Sequence, residues 1–434
     1  MQSLLPTLIG FACVFLLLFS GVPIAVGMAV VGFAGFAILV NPNAAMSMVG
    51  QTVFENAGNF EYAVLPLFVL MGNYVARSGL SGDLYRMSRA FLGHFRGGLA
   101  MATVLACGGF SAVCGSSLAT AATMSKVAMP PMRQYGYADS LATGSIAAGG
   151  TLGILIPPST IMVIYGIMTN ADIGKLMIAG VIPGIITVVL YILAVAVVSA
   201  LNPSLGPAAP VSGWVERFGT LKRIWGVLAL FLLVMGVIYL GVCTPTEAAG
   251  IGAAGAFFFA LLRRNMRFAD HVDVLTDTGR TTAMMFVVLF GAMIFNNFIN
   301  VARMPQLAAA WVQGMGLSPI MVFLVIVAIY LVLGCILESF SMILLTVPIF
   351  FPVVQALGFD VIWFGIIIVI VTEISLISPP VGMNVFVIRA VLPEVPVTTI
   401  FRGVMPFLAA DVLRLALFIF VPATVMFLPG LMTR

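Results

Sequence analysis

Charge is the scarcest property of this 434-residue chain: 8% of its residues are Asp, Glu, Lys or Arg, against roughly 25% in soluble domains. With 62% apolar residues and a mean hydropathy of +1.19, the chain cannot present the polar surface of a water-soluble enzyme. Histidine is almost missing, and His94 and His271 are too far apart in sequence to suggest a metal centre. Cys13, Cys107, Cys114, Cys243 and Cys335 sit singly in apolar runs, without zinc-site or disulfide spacing, and read as small packing residues. There is no GxxxxGKS/T sequence and no stretch long enough for an extramembrane nucleotide-binding domain, so ATP is excluded as the energy source. The 19 Lys and Arg barely exceed the 15 Asp and Glu and are scattered, which argues against nucleic-acid binding. Gly115-Ser116-Ser117 lacks the GxSxG pattern and a nearby histidine base, leaving no intramembrane serine protease.

What the chain has is apolar length. At about 20 residues per crossing, it accommodates on the order of a dozen membrane segments. The first charge is Glu55, so the opening run lacks the basic region of a signal peptide and is expected to be a retained membrane helix. Spans are expected at Leu4 to Ser20, Ile24 to Val40, Tyr62 to Ala76, Met177 to Ala200, Ile224 to Leu240 and Ala248 to Leu262. Others follow at Thr281 to Val301, Ile320 to Leu333, Met342 to Leu357, Val361 to Ile377 and Phe407 to Phe427. Two charge-free intervals are interrupted instead. Gly115, Ser116 and Ser117 break Gly97 to Ser125, while Gly149, Gly150, Gly153, Pro157 and Pro158 break Ser140 to Ala171. Irregular backbone at membrane depth is tolerated only where it is buried or lines a cavity, so both read as discontinuous helices. Leu84, Met87, Phe91 and Leu92 give Asp83 to Phe95 the spacing of an interfacial amphipathic helix. Arg86, Arg89, His94 and Arg96, with Arg263, Arg264 and Arg267, are expected on the cytoplasmic side.

The breaks recur. A register of 222 residues pairs Ser117 with Ser339, Pro130 with Pro352, Gly136 with Gly358, Pro157 with Pro379 and Pro158 with Pro380; shifted by one, it pairs Pro183 with Pro406. Two copies of one unit, interrupted at corresponding places, point to a binding site near the membrane midplane. Broken helix ends expose N-H groups and carbonyls, and a sodium ion takes about five or six oxygens. Hydroxyls stand beside each break: Ser111, Ser116, Ser117 and Thr120; Thr151, Ser159 and Thr160; Ser339, Ser341, Thr372, Ser375 and Ser378. Glu338 and Glu373 are costly intramembrane acids that could bind a cation, carry a coupling proton, or pair structurally with Arg389 or Arg414. Asn384 and Arg389 follow the second Pro-Pro pair and could meet an anionic solute, Arg389 equally serving as a helix-end anchor.

These motifs resemble the large membrane subunit of the tripartite ATP-independent periplasmic (TRAP) transporters, C4-dicarboxylate type. The resemblance runs through LFVLMGNYVARSG at Leu67 to Gly79, FSAVCGSSLATAATM at Phe110 to Met124, Pro130-Pro131-Met132 with Gly136-Tyr137, and GTLGILIPPSTIMVIYG at Gly150 to Gly166. It continues in AGVIPG at Ala179 to Gly184, TPTEAA at Thr244 to Ala249, LGCILES at Leu333 to Ser339, Pro348, and SPPVGMNVFV at Ser378 to Val387. It implies an all-α polytopic membrane protein with two inverted repeats of helical hairpins and discontinuous helices, ion-transporter-like and of elevator type. The expected division is scaffold helices in 1–60; repeat 1 in 61–203, with a hairpin near 98–128 and a broken helix near 140–168; and a linker at 204–223. Scaffold helices in 224–280 and repeat 2 in 281–434 follow, with a hairpin near 320–352 and a broken helix near 361–390.

The resemblance further implies sodium-coupled uptake of a small organic anion across the bacterial inner membrane. The expected partners are a periplasmic substrate-binding protein, a small four-helix membrane subunit and membrane lipid, with Na+ as coupling ion and no other cofactor. Carried over by position, sodium is expected at Ser116, Ser117, Gly149, Gly153, Gly334, Glu338, Ser339, Thr372 and Ser378. The solute is expected at Ser111, Pro157, Ser159, Thr160, Pro379, Pro380 and Asn384. Glu338 and Glu373 stand where many relatives have Asp and Asn. A stand-alone sodium/anion symporter of related architecture, or an ion or solute channel, would share the same broken helices.

Overall fold

Proline, glycine and small polar caps divide the apolar chain into short helices. The computed structural model describes residues 5–264, 266–314 and 316–432; Leu4, at the start of the first expected span, lies outside them. The described residues contain no strand. The first half comprises α1 (Leu5–Phe19), α2 (Ile24–Leu39), α3 (Pro42–Ala57), α4 (Val64–Arg77), α5 (Leu80–Leu92), α6 (Gly98–Cys114), α7 (Ser117–Gln134), α8 (Asp139–Thr151), α9 (Thr160–Thr169) and α10 (Ile173–Leu201). After α11 (Trp214–Arg223) come α12 (Trp225–Tyr239), α13 (Pro245–Arg263), α14 (Phe268–Val301), α15 (Met304–Gly314), α16 (Pro319–Gly334), α17 (Ser339–Ala356), α18 (Val361–Ile377), α19 (Met383–Val391), α20 (Val397–Phe420) and α21 (Ala423–Leu431).

The 222-residue register governs this architecture. Helices α7 and α17 start at Ser117 and Ser339 and end at Gln134 and Ala356, while α8 and α18 start at Asp139 and Val361. Both Pro-Pro peptide bonds, Pro157-Pro158 and Pro379-Pro380, are cis. Beyond what the sequence identities showed, α1 and α2 occupy the register positions of α12 and α13. Packing is reciprocal: α2 lies along α14 and α13 along α4, while α7 meets α19 and α17 meets α9. The copies are also inverted. Arg133 binds Asp139, so α7 ends and α8 begins at one end of the molecule. Helix α8 runs inward, α9 runs on outward, and the Tyr165 hydroxyl of α9 donates to Val361 O at the start of α18, which places the end of α17 on the opposite side.

Several spans differ from expectation. The span expected at Ile24 to Val40 ends at Leu39, and a helix that was not expected follows at once: Asn41 caps α3 by accepting from Ala44 N, with Pro42 at the first helical position where no N-H is needed. The expected linker holds α11, an exposed amphipathic helix. The boundary drawn at residue 281 falls inside the 34-residue α14, whose polar start leans on Arg77 through Asp270, Asp273 and Asp277. Among the described residues, five helices, α10, α13, α14, α17 and α20, are individually long and apolar enough to cross a membrane, or seven spans if two bent pairs count as one each.

The end carrying α5 also carries the arginines: Arg263, closing α13, pairs with Asp83 of α5 and donates to Ser78 O. Helices α8 and α20 cross at Gly144 and Gly403, where a Cβ on Gly403 would lie 1.9 Å from Ser140 O. Arg133 also binds Glu394, in the loop before α20. The Glu394 carboxyl sits below the usual carboxylate range, held there by its own backbone N-H and then by Arg133. A depressed acid contributes stability above its unfolded value and loses it as pH falls through the folded one. Wild type and Glu394→Gln are therefore expected to unfold alike below that range and to diverge, with wild type more stable, above about pH 4.5.

Candidate functional site

Two helix N-termini meet at one cavity. At the first tip, Gly115 (φ +64°) turns α6 back and Ser116 caps α7, its Oγ accepting from Ala119 N at 3.4 Å. At the second, Glu338 caps α17, Oε2 accepting from Ser341 N at 3.2 Å. Both tips line a cavity of about 160 Å³ with Ser117, Ser339, Thr160, Asn73 and Thr281. Among the described lining residues there is no Lys, Arg or His.

The first tip is clamped by the broken helix of its own repeat and touched by that of the other. Thr160 Oγ1 donates to Gly115 O at 3.4 Å, and a Cβ on Gly153 would sit 2.5 Å from Ser116 O. Ser117 Oγ and the Asn384 amide are mutual partners at 2.9 and 3.1 Å, and Asn384 Nδ2 also donates to Ala147 O. Asn384, expected at the solute, thus locks tip 1 to α19. Ser159 caps α9 while its own hydroxyl donates to Ile154 O at 2.6 Å. Ser111, one turn before the tip, is buried, and its hydroxyl has no hydrogen-bond partner among the described residues.

Other expected residues stand away from the cavity in this conformation. Gly149 packs on Cys107, and its carbonyl accepts from Leu152 N. Gly334 is packed by Ser375, whose Oγ lies 2.1 Å from where its Cβ would be. Thr372 and Ser378 turn their hydroxyls to Ile368 O and Ile374 O. Pro379 and Pro380, exposed, border with Ser378 and Cys335 a separate cavity of about 510 Å³ against α16 and α20. Pro157 and Pro158 are buried, with Pro158 O packed 2.9 Å from the Cβ position of Gly115.

The acids part ways. Glu338 lines the cavity, whereas Glu373 lies fully buried behind α18, Oε2 accepting from Arg414 Nη1 at 2.7 Å. Arg414 also donates to Thr187 and contacts Asp411, which accepts from Tyr191 at 2.6 Å. Arg389 is a helix-end anchor, donating to Pro393 O and to Val395 O at 2.8 Å. The sequence reading passed over Asn73, Thr281 and Asp411. Asn73 and Asp411 are polar residues inside apolar runs, a signal that alone would have marked them, whereas Thr281 follows the polar stretch Thr276 to Arg280 and carried no such signal.

This geometry belongs to a recognisable group of proteins. The family "Tripartite ATP-independent periplasmic transporter, DctM component" matches residues 11–424. The chain belongs to this family. A C4-dicarboxylate TRAP transporter large permease protein of Pseudomonas aeruginosa is 38% identical over 396 residues, 91% of each chain. The isethionate TRAP transporter permease protein DctMQ of Oleidesulfovibrio alaskensis is 32% identical over 98% of this chain and 66% of its own length. Among solved structures, the YdaH transporter of Alcanivorax borkumensis superposes with a TM-score of 0.61 at 16% identity, covering 90% of both chains. That likeness shows the fold alone. As a TRAP large permease, the chain is a multi-pass membrane transport subunit and not an enzyme. In this TRAP permease the tips of the two copies line one cavity.

Proposed function

We propose that this TRAP permease couples the inward movement of sodium to uptake of a small organic carboxylate. The observation that carries the reading is the charge of the central cavity: two helix N-termini and Glu338, with no cationic side chain among the described lining residues. Helix N-termini favour an anion, each contributing about 0.3–1 kcal/mol. Glu338 opposes it, so an anionic solute needs a mobile cation alongside. The oxygens of Ser116, Ser117, Ser339 and Glu338, with the Ser111 hydroxyl, unpartnered among the described residues, nearby in sequence, are hard donors suited to sodium. Gly149, Gly153, Gly334, Thr372 and Ser378 would serve through backbone or after movement. Thr160 lines the cavity beside the solute, with Ser159 next to it in sequence; Pro157 and Asn384 fix tip 1 and its neighbours around it, and Pro379 and Pro380 would reach it only after movement. The hairpins and broken helices of the two repeats form the moving unit of an elevator within scaffold helices.

The partners follow from family membership. A periplasmic binding protein delivers the solute, and a small four-helix subunit braces the permease in the inner membrane. The isethionate relative, a longer chain named DctMQ, leaves about a third of its length for a second fused component. One relative is named for a C4-dicarboxylate and another for isethionate, a sulfonate, so the proposed carboxylate is taken no further than the wider class of small organic anions.

The test is thermal unfolding of the purified protein titrated with NaCl against equal KCl and choline chloride. An ion that binds only the folded state stabilises by mass action, about 2.7 kcal/mol at a hundred times its dissociation constant. Sodium alone is expected to raise the melting temperature saturably. Ser117→Ala and Ser339→Ala are each expected to raise the half-saturating sodium concentration at least about tenfold, because a bond to a charged group contributes about 1.5–3 kcal/mol. Equal responses to the three salts would remove sodium coupling from the reading.

A further inference from the structure

The central cavity has a continuation. A second cavity, of about 330 Å³, shares Asn73 with it, and three helices pass from one to the other in step. Along α4 the lining advances from Gly72 and Asn73 to Ala76 and Arg77. Along α7 it advances from Ser117 and Ala119 to Thr123 and Lys126, and along α14, in reverse, from Met285 and Thr281 to Asp277 and Val274. At 1.5 Å per residue, Lys126 lies about 13 Å beyond the tip at Ser117. The direction is toward the end where α4 closes at Arg77 and where Arg263 meets Asp83, the end that the positive-inside rule assigns to the cytoplasm.

The charges along this passage are unequally committed. Arg77 is occupied by Asp270, Asp273 and Asp277 at 3.3–3.8 Å. Lys126 is exposed and, among the described residues, has neither a hydrogen bond nor an ion pair. It projects from the arm of the hairpin whose tip lines the central site, so a solute leaving Ser117 and Thr160 meets it next. Ala119 and Ala122 keep the wall of α7 low between the two points, and Ser81 and Thr123 add hydroxyls beside the ammonium. Arg77 faces three aspartates, so its charge is cancelled there, and Lys126 is the cation of the lining left without an ion pair among the described residues and able to attract an anion passing α7.

We propose that this passage is the cytoplasmic release route and that Lys126 is a transient binding point for the solute carboxylate along it. The proposal rests on the reading of the cargo as an anion, but not on sodium as its coupling ion.

The test uses the full-length permease in inside-out membrane vesicles, with a reporter cysteine, Ala122→Cys, whose modification is followed by mass spectrometry. The probes are two methanethiosulfonates of similar size, one bearing a sulfonate and one a trimethylammonium. The sulfonate reagent is expected to react faster. Lys126→Gln is expected to reduce the sulfonate-to-ammonium rate ratio by about tenfold, since one charge at about 6 Å in water changes each reagent's rate about threefold in opposite directions, and by at least about threefold in salt, while Lys126→Arg preserves it. A ratio unmoved by Lys126→Gln, or one favouring the ammonium reagent, would overturn the proposal and make the aspartates the dominant field. So would labelling confined to right-side-out vesicles. A second reporter, Thr123→Cys, gives the same reading if Ala122→Cys does not fold. Loss of sodium-specific stabilisation with the rate ratio intact would overturn only the coupling ion, whereas the reverse result would overturn only this passage.

Discussion

Arg414→Ala is expected to lower the stability of the permease by about 3–5 kcal/mol, the cost of leaving buried charge without its partner. The side chains of Arg414, Glu373 and Asp411 are 0% exposed. Among the described residues the guanidinium is the one cation that touches either carboxylate: Nη1 donates to Glu373 at 2.7 Å, and Nε stands 2.7 Å from Asp411. The Tyr191 hydroxyl and the Thr187 hydroxyl complete the cluster, which ties α18 and α20 to α10. Removing the arginine strands two acids where no water reaches them, and Tyr191 loses the cation over its ring at 5.5 Å. Thermal unfolding in detergent measures the loss. Adding Glu373→Gln and Asp411→Asn to Arg414→Ala is expected to restore part of it, because amides need no counter-charge. Glu373→Gln alone keeps an acceptor for Arg414 and is expected to cost far less. A loss below about 1 kcal/mol for Arg414→Ala, a value typical of exposed pairs, would show that the cluster does not hold charge in the way its geometry implies.

Gly403→Ala is the second large effect, with an expected loss of about 2–3 kcal/mol and of transport. Adding volume to a packed interface costs roughly 1–3 kcal/mol when side chains can adjust. Here nothing flexible can yield: the new Cβ would meet Ser140 O at 1.9 Å, and a Cβ on Gly144 would meet Gly403 O at 2.2 Å. Close backbone contact through small residues is how membrane helices attract one another without a hydrophobic driving force. Helix α8 leads directly into Gly153 and Thr160, so prising it from α20 displaces the floor under tip 1. Gly144→Ala is expected to behave alike, and the double variant to cost less than the sum, since one separation relieves both contacts. Gly236→Ala on α12, where no atom lies within 4 Å of the added carbon, serves as the control and is expected to leave stability and transport unchanged. Normal transport by Gly403→Ala would mean that the crossing can open without consequence for the site.

The membrane class, the repeat and the two tips were legible because each rests on local chemistry. Proline cannot continue a helix, and paired interruptions mark the site; the register linking Ser117 to Ser339 was therefore readable from Pro and Gly alone. Helix α3 was not legible, since Asn41-Pro42 reads as a stop and is also a start. The fates of the two acids were equally hidden. Glu338 and Glu373 each stand beside a break in sequence, yet one caps a helix at the cavity and the other is spent on Arg414, 41 residues away.

The sequence by itself determined that this chain lives in a membrane, that it is a doubled unit, and where the backbone must break, because composition and helix-breaking residues act within a few positions along the chain. Only the tertiary structure decided which broken ends face one another, that Asn384 holds Ser117 rather than standing open, and that Lys126 overlooks the way out. Those outcomes depend on contacts between residues far apart in sequence, and inversion of the second copy sets them by bringing the N-termini of the equivalent helices α7 and α17 to one cavity.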